Sequence, residues 1–268
     1  AVRRLTVEEM PASSRRYPWV GFTPDREVGK DILFVTDVSK TIDGVKVLDK
    51  VSFIVGHGDK IAFVGDNENA QTALFQILAG EMEPDEGTVK WGQTATFSYF
   101  PKDNTPYFQD NDDNLVQWLR QFSPDPQEQY LRGFLGRMLF SGDEVYKPVK
   151  VLSGGEKVRC MLSRMMLYGS NVLVLDQPTN HLDLDTKEAL DKALGEFPGT
   201  ILMVSHDRYL LSKVPTKIAE MTPAGMTIYQ GGYAAYARGD RPILTPEQPE
   251  PEPVPAVPEK KSEASTTY

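Results

Sequence analysis

Three short and continuous apolar runs constrain the fold of this chain more than any other feature. They lie at residues 61–64, 172–175 and 201–204, and segments with helical spacing separate them. Strands without polar positions that alternate with helices are typical of a parallel sheet covered on both faces. We therefore expect an α/β fold with a largely parallel core sheet.

Polar residues follow directly after each of the three runs. They are Gly65-Asp66, Asp176-Gln177 and Ser205-His206-Asp207. The carboxyl ends of parallel strands share one edge of the sheet, and ligands bind in the crevice beyond that edge. The three groups therefore indicate a nucleotide-type site.

Further elements are predicted on either side of these runs. Residues 32–37 and 46–55 have β-type sequence around Asp43-Gly44, which is a hairpin signal. A long insertion at about residues 100–150 shows helical spacing. The other predicted elements are helices at residues 72–79, 114–122, 128–140 and 233–238 and strands at residues 216–220 and 226–230.

The stretch from residue 151 to residue 183 reads VLSGGEKVRCMLSRMMLYGSNVLVLDQPTNHLD. A Ser-Gly-Gly turn opens a helix whose buried face is predicted to include Val158, Met161 and Met165. The segment LSGGE, followed by an apolar run and then by D-x-P-T-N-H-L-D, resembles the ATP-binding cassette (ABC) proteins. The segment PTNHLD resembles the corresponding segment of the ABC-F branch, which comprises soluble tandem-cassette ATPases that act on ribosomes.

This resemblance implies the domain organisation of the chain. The implied fold is an α/β ABC-type P-loop NTPase cassette with a mostly parallel core sheet, an antiparallel β subdomain and a helical subdomain that carries LSGGE. The nucleotide-binding domain would span residues 31–239, with the helical subdomain at about residues 101–168. Residues 1–30 are expected to be the end of a linker, which would make this the C-terminal cassette of a longer protein. Residues 240–268 are rich in Pro and Glu and are expected to be a disordered tail.

The loop after the first apolar run corresponds to a degenerate phosphate-binding loop, or Walker A motif. A working loop reads G-x-x-x-x-G-K-[ST]; its backbone N–H groups and Lys bind phosphates and its hydroxyl binds Mg²⁺. Ala70 replaces the second Gly, Gln71 replaces the Lys, and Glu68 stands where another Gly is usual. Taken alone, the loop fits a plain strand–helix turn equally well. The predicted nucleotide-binding residues are Gly65, Asp66, Asn67, Glu68, Asn69, Ala70, Gln71 and Thr72.

The resemblance implies two further nucleotide-binding positions. ABC cassettes usually stack an aromatic residue on adenine, and that position falls at Ile42, which has no π face. The Q-loop Gln, which links Mg²⁺ to the helical subdomain, corresponds to Lys102. We hypothesise that Lys102 partly replaces the missing charge of the phosphate-binding loop.

The implied metal and catalytic positions are only partly retained. Thr72 and Asp176, the Walker B Asp, are expected to bind Mg²⁺. Gln177 replaces the Glu that polarises the attacking water, and an amide lacks the basicity for this work. A His after a strand is more often structural, but His206, in register after the other motifs, resembles the switch His that contacts the γ-phosphate. The near-isosteric neutral residues at Gln71 and Gln177 fit an engineered cassette as well as a naturally degenerate one.

The signature motif is intact. Ser153, Gly154 and Gly155, followed by Glu156, lie at a helix N-terminus, where a hydroxyl and backbone N–H groups favour an anion. In ABC dimers this group of N–H and hydroxyl donors binds the ATP held by the other cassette. Asp183 lies in a segment that resembles the D-loop, which couples the two sites of a dimer.

Composition excludes several functional classes. No apolar run approaches the ~20 residues that a membrane helix needs. The net charge of −9 argues against this chain alone wrapping nucleic acid. The pairs Arg3-Arg4 and Arg15-Arg16 are either solvated linker charges or RNA contacts. The single Cys160 excludes an internal disulfide, fits a reducing cytoplasm and is expected to be a buried, inert thiol.

The resemblance therefore implies a cytoplasmic ATP-binding cassette of the ABC-F type, without a membrane partner. ATP and Mg²⁺ would be bound between this cassette and a second one, and the full-length protein would act on the ribosome and its rRNA. Hydrolysis at this site would be impaired by Gln71 and Gln177. Two alternatives stay open, namely the ATP-binding subunit of a membrane transporter and a non-hydrolysing regulatory cassette.

Overall fold

The structure is a computed structural model that describes residues 17–241 and Ile243. The two Arg pairs near the start and most of the predicted tail, residues 240–268, lie outside these residues. The strands within the described part are β1 (Asp31–Ile42), β2 (Val45–Gly56), β3 (Lys60–Val64), β4 (Glu86–Trp91), β5 (Phe97–Phe100), β6 (Val172–Asp176), β7 (Thr200–Val204), β8 (Lys217–Thr222) and β9 (Gly225–Gln230). The α-helices are α1 (Glu68–Leu78), α2 (Leu115–Arg120), α3 (Glu128–Arg137), α4 (Gly154–Tyr168), α5 (Leu184–Glu196), α6 (Arg208–Lys213) and α7 (Tyr233–Ala237), and short 3-10 helices lie at Thr105–Tyr107, Gly142–Tyr146 and Val149–Val151.

The core of the molecule is a six-stranded sheet with the order β5-β6-β7-β3-β8-β9. All neighbouring pairs in it are parallel except β8 and β9. The three apolar runs form β3, β6 and β7, which lie side by side in this sheet. The predicted mostly parallel core sheet is confirmed.

Apolar side chains cover both faces of the sheet. In β6, Val172 and Val174 belong to a cluster with α1 and the β1–β2 hairpin. Leu173 and Leu175 belong to a second cluster with helices α2 to α6. Because successive residues of a strand point to opposite faces, a strand buried on both sides must be apolar throughout. This explains the continuous apolar runs in the sequence.

A separate three-stranded antiparallel sheet has the order β2-β1-β4. The predicted hairpin is present, because Ile42 pairs with Val45 across the Asp43-Gly44 turn. Both turn residues have positive φ, 51° and 78°, as a type I′ turn requires. Strand β4 was not predicted from the sequence.

The long insertion contributes α2 and α3 and has a core that is continuous with that of α4. Trp118 is fully buried, stacks on Phe108 with ring centroids 4.9 Å apart, and donates from Nε1 to the Tyr107 carbonyl at 2.9 Å. Met161 and Met165 of α4 are buried in the same cluster, as predicted. The insertion is therefore packed onto the sheet through one shared apolar cluster.

The predicted helix at residues 128–140 ends three residues early, at Arg137. Leu139 has a φ of 68°, and the Phe140 N–H donates to the Leu135 carbonyl at 3.0 Å. A left-handed residue followed by this bond is a common way to end a helix. Leu139 takes the place of the usual Gly, which is why the sequence did not signal this end.

Helix α1 begins four residues earlier than the helix predicted at residues 72–79. Asn67 caps α1 by accepting from the Ala70 N–H at 3.2 Å, and Glu68 is the first helical residue. Asn is a favoured N-cap, and an acid is favoured in the first turn. Residues 68–71, expected to be loop, are therefore the first turn of α1.

Within the segment predicted as the end of a linker, residues 19–25 lie against the helical part of the molecule, and residues 26–29 bond to the turn between β4 and β5. Val20 and Phe22 are buried, the Trp19 N–H donates to the Arg137 carbonyl, and the Asp25 N–H donates to the Gly169 carbonyl, each at 2.8 Å. The domain boundary at residue 30 stays a prediction.

Cys160 is fully buried in α4, as predicted. Burial raises the pKa of its thiol, which keeps the sulfur protonated and unreactive. Among the described residues, no helix is both long and apolar enough to cross a membrane.

Candidate nucleotide site

The predicted phosphate-binding residues lie in the turn between β3 and α1 and at the start of α1. Gly65 has a φ of 150°, and a Cβ atom there would lie 2.4 Å from the Met221 carbonyl oxygen of β8. Only Gly allows this approach without strain. Asp66, Asn67 and Asn69 are exposed around the turn.

Gln71, at the position of the phosphate-binding Lys, does not reach outward. Its side chain is buried, and its Nε2 donates to the Gly65 carbonyl at 3.2 Å. The amide therefore stabilises the turn itself and brings no positive charge to it. Ala70, at the second Gly position, is also buried.

Thr72 and Asp176 meet across the carboxyl edge of the sheet. The Thr72 Oγ1 donates to the Asp176 Oδ2 at 2.8 Å. Asp176 is fully buried, its Oδ1 has no hydrogen-bond partner in the structure, and burial raises the pKa of this carboxyl. An unpaired buried carboxylate oxygen beside a hydroxyl is a donor set that suits Mg²⁺.

The metal would need further oxygen ligands from elsewhere. Within the described part of the chain, no group of three or more His, Cys, Asp or Glu residues could hold a metal ion. Mg²⁺ is usually held by one or two carboxylates together with substrate phosphates and water. Thr72 and Asp176 fit that pattern.

Gln177 follows Asp176 directly and is buried as well. It has a φ of 53°, its N–H donates to the Val204 carbonyl at 2.8 Å, and its Oε1 accepts from the Asn180 Nδ2 at 2.6 Å. Its side chain also faces the Glu68 carboxylate and lowers the pKa of that group by hydrogen bonding. The side chain is thus held in place, but a neutral amide cannot accept the proton of a water molecule.

Glu68 binds two basic side chains from other segments. One carboxylate oxygen lies 2.9 Å from the Lys102 Nζ, and the other lies 2.6 Å from the His206 Nε2. Lys102, followed by His206, lowers the pKa of Glu68 to about 2. Lys102 therefore lies near the turn between β3 and α1, but its charge is paired with Glu68, the first residue of α1. The sequence analysis missed this contact. That Lys102 partly replaces the missing charge of the loop stays a hypothesis.

A cavity of about 830 Å³ adjoins the turn. Ile42, the predicted adenine position, does not line it and instead packs in part against the core cluster of the three-stranded sheet. Thr72, Lys102, Asp176 and Gln177 lie outside the cavity wall as well. The predicted site residues that line it are Gly65, Asp66, Asn67, Ala70, Gln71 and His206.

The other walls of this cavity were not expected from the sequence. They include residues 46–49 of β2, the turn between β8 and β9, and the tyrosines of α7, Tyr233 and Tyr236. Tyrosines near the end of the domain carry no specific motif. The two tyrosines reach the cavity because α7 packs beside β8.

The signature residues lie at the N-terminus of α4 and away from this cavity. Ser153 and Glu156 form a capping box: the Ser153 Oγ accepts from the Glu156 N–H at 3.2 Å, and the Ser153 N–H donates to the Glu156 Oε1 at 3.0 Å. Glu156 also pairs with Lys147 at 3.0 Å. Ser153 and Gly154 are exposed, so this helix end is accessible to another molecule.

The predicted D-loop residue, Asp183, caps α5. Its carboxylate accepts from the Thr186 N–H at 3.3 Å and from the Thr186 Oγ1 at 2.6 Å. The segment lies beside the signature, because a Cβ atom on Gly155 would be 3.8 Å from the His181 carbonyl oxygen. The two motifs therefore share one exposed region of the surface.

Comparison with known proteins gives a consistent family. A family model described as ABC transporter matches residues 48–180. An uncharacterized ABC transporter ATP-binding protein of Bacillus subtilis, YkpA, is 57% identical over 233 residues, or 87% of this chain and 43% of YkpA. ABC transporter F family member 2 of Arabidopsis thaliana is 30% identical over 81% of this chain and 31% of its own length. The energy-dependent translational throttle protein EttA of Haemophilus influenzae is 31% identical over 82% of this chain and 40% of its own length.

Solved structures share the fold. The ATP-binding subunit of an ABC transporter superposes with a TM-score of 0.62 and 20% identity, over 78% of this chain and 94% of that subunit. The predicted fold class is confirmed. This chain spans less than half the length of each of the three curated relatives named above. The family model and the relatives identify an ABC transporter ATP-binding domain in this chain.

Proposed function

We propose that this domain binds ATP with Mg²⁺ as one cassette of an ABC-F protein that acts on the ribosome in the cytoplasm. The observation that carries the ribosomal part is the similarity to EttA, a translational throttle protein, and to an ABC-F family member, over about four-fifths of this chain. The segment PTNHLD, residues 178–183, supports the same branch.

Thr72 and Asp176 are the residues that would hold Mg²⁺ in this proposal. Their oxygens already lie within 2.8 Å of each other, and the Asp176 Oδ1 has no partner. The bound ion would neutralise phosphate charge. The cavity beside Gly65 and Gln71 offers room for the rest of a nucleotide, since its volume of about 830 Å³ lies within the range of ligand pockets.

Hydrolysis at this site is expected to be slow or absent. Gln177 can orient a water molecule by a hydrogen bond, but it cannot take its proton. Gln71 is turned onto the Gly65 carbonyl and supplies no cation for the charge that develops on transferring phosphate. Both changes leave ATP binding possible and oppose turnover.

The signature would act on a second cassette. Ser153 and Gly154 are exposed at the N-terminus of the 15-residue α4, on a surface away from this chain's own cavity. Backbone N–H groups and the helix dipole at such an end favour a phosphate. We infer that this chain completes the ATP site of its partner cassette while its own site turns over slowly.

Two other functions have specific support. The fold is shared with an ATP-binding subunit of an ABC transporter, which favours a transporter subunit. The internal bond of Gln71 favours a regulatory cassette that never hydrolyses ATP. Co-purification with a membrane protein would support the transporter subunit. If Gln177→Glu still hydrolyses no ATP, the regulatory cassette is supported.

Ribosome co-sedimentation tests the main proposal. The protein containing this cassette and its second cassette is centrifuged through sucrose with ribosomes, with ATP, with ADP or without nucleotide. We expect ATP to increase the sedimenting fraction, and Ser153→Arg, which blocks the exposed helix end, to remove that increase. Glu188→Gln, on the exposed face of α5, is the control. Equal sedimentation under all three nucleotide conditions would contradict the ribosomal role.

A further inference from the structure

Glu68, Lys102 and His206 form a cluster, here called the Glu68 cluster, that joins three separate segments. Glu68 begins α1, Lys102 follows β5, and His206 follows β7. Each oxygen of the Glu68 carboxylate contacts a different basic side chain, at 2.9 Å and 2.6 Å. The Lys102 ammonium and the His206 imidazole thus converge on one point beside the N-terminus of α1.

That point has the properties of an anion position. The helix N-terminus adds positive potential to the two basic side chains. The amide of Gln177 also faces the Glu68 carboxylate and, by hydrogen bonding, contributes to lowering its pKa. A third polar group thus points at the same anion from the end of β6.

We propose that Glu68 is a specificity-determining residue that makes this site favour a nucleoside diphosphate over a triphosphate, because its carboxylate occupies the anion position between Lys102 and His206. The inference rests on the proposed nucleotide binding and adds a preference to it. His206 connects the two regions, since it lines the cavity beside the turn and also contacts Glu68.

A phosphate chain that starts in the cavity and runs along the N-terminus of α1 ends at the Glu68 cluster if it is long enough. A terminal phosphate there must displace the Glu68 carboxylate or lie against it, and like charges in contact are strongly unfavourable. A shorter chain leaves the carboxylate in place. Because the pKa of Glu68 is about 2, its carboxylate stays ionised at neutral pH and keeps both basic partners.

Isothermal titration calorimetry with ADP and ATP, each with Mg²⁺, tests this inference on the full chain. Two variants separate charge from bulk: Glu68→Gln removes the charge alone, and Glu68→Ala removes the charge and the side chain. Glu188→Gln is a matched control that removes one negative charge from an exposed position on α5. Thermal unfolding of each variant verifies that the fold is intact.

The expected result is tighter binding of ADP than of ATP by the unaltered chain. Glu68→Ala should raise the ATP affinity at least about tenfold and change the ADP affinity by less than about threefold, with Glu68→Gln in between. An unchanged ratio of ATP to ADP affinity in both variants would overturn the inference while leaving nucleotide binding intact. Absence of binding of either nucleotide by all forms would overturn the proposed function together with the inference.

Discussion

Asp191, on α5, is a buried carboxyl that lies close to a second acid. Burial, followed by the charge of Asp207, raises the pKa of Asp191 to about 6, and Lys187 opposes this only in part. Its Oδ1 is buried without a hydrogen-bond partner. At neutral pH the chain therefore keeps an unfavourable ionised carboxylate next to Asp207, the N-cap of α6.

The raised pKa of Asp191 predicts a specific pH dependence of stability. The folded state binds this proton more tightly than the unfolded state, whose pKa is near 3.8, so this group lowers the free energy of unfolding as the pH rises from about 4 to about 6. Asp191→Asn should raise that free energy by about 1–3 kcal/mol at pH 7 and by little at pH 4. Urea unfolding at pH 4, 5, 6 and 7 measures both values.

The exposed acid Glu188, on the same helix, provides the control for this experiment. Glu188→Gln removes an equal charge from an exposed position, and it should change the unfolding free energy less than Asp191→Asn does, because Glu188 is the smallest of the charges that act on Asp191. A stabilisation by Asp191→Asn that is the same at every pH would show that the ionised carboxylate is not its cause.

At the scale of elements, the turn between β3 and α1 depends on Gly65 for packing. A Cβ atom at this position would lie 2.4 Å from the Met221 carbonyl oxygen of β8, at a φ of 150°. Gly65→Ala should therefore lower the free energy of unfolding by at least about 2 kcal/mol. The midpoint and slope of urea unfolding give this difference.

A second glycine gives the opposite expectation and serves as a control. Gly133 lies inside α3, and a Cβ atom there would meet nothing within 4 Å. Gly133→Ala should raise the free energy of unfolding by about 0.5–1 kcal/mol, because Ala favours the helix. Equal effects of the two substitutions would refute a packing role for Gly65.

The sequence predicted the elements that have strong periodicity or complete burial. Strands β3, β6 and β7 were predicted because both of their faces are buried, and the β1–β2 hairpin because of its Asp43-Gly44 turn. Strand β5 has only four residues, and β4 is polar and partly exposed, so neither gives a clear pattern. The start of α1 was missed although Asn67 followed by Glu68 is a recognisable start of a helix.

At the scale of the whole molecule, the candidate site is assembled from distant segments. Lys102 is 34 residues from Glu68, and His206 is 138 residues from it. Motif positions predicted that these side chains lie at one edge of the sheet. They did not predict that an acid of the turn would pair with both, because charge pairing depends on side-chain geometry that spacing does not encode.

In the proposed function, one domain does not complete a nucleotide site by itself. Ser153 and Gly154 do not line this chain's own cavity, and the chain spans less than half the length of its three relatives. In the proposed arrangement, each nucleotide is contacted by two cassettes. Measurements of turnover therefore need the second cassette to be present.

Single-turnover phosphate release from ATP tests the central claim most directly, namely that this cassette holds ATP without turning it over because Gln177 is not a base and Gln71 supplies no cation. The two-cassette protein, with the other site inactivated, is used in molar excess over ATP, and binding is measured in parallel by equilibrium dialysis. We predict that the unaltered site binds ATP and releases phosphate no faster than ATP hydrolyses in buffer without protein. Gln177→Glu combined with Gln71→Lys should accelerate release at least about 100-fold. Phosphate release by the unaltered site as fast as by this double variant would contradict the account.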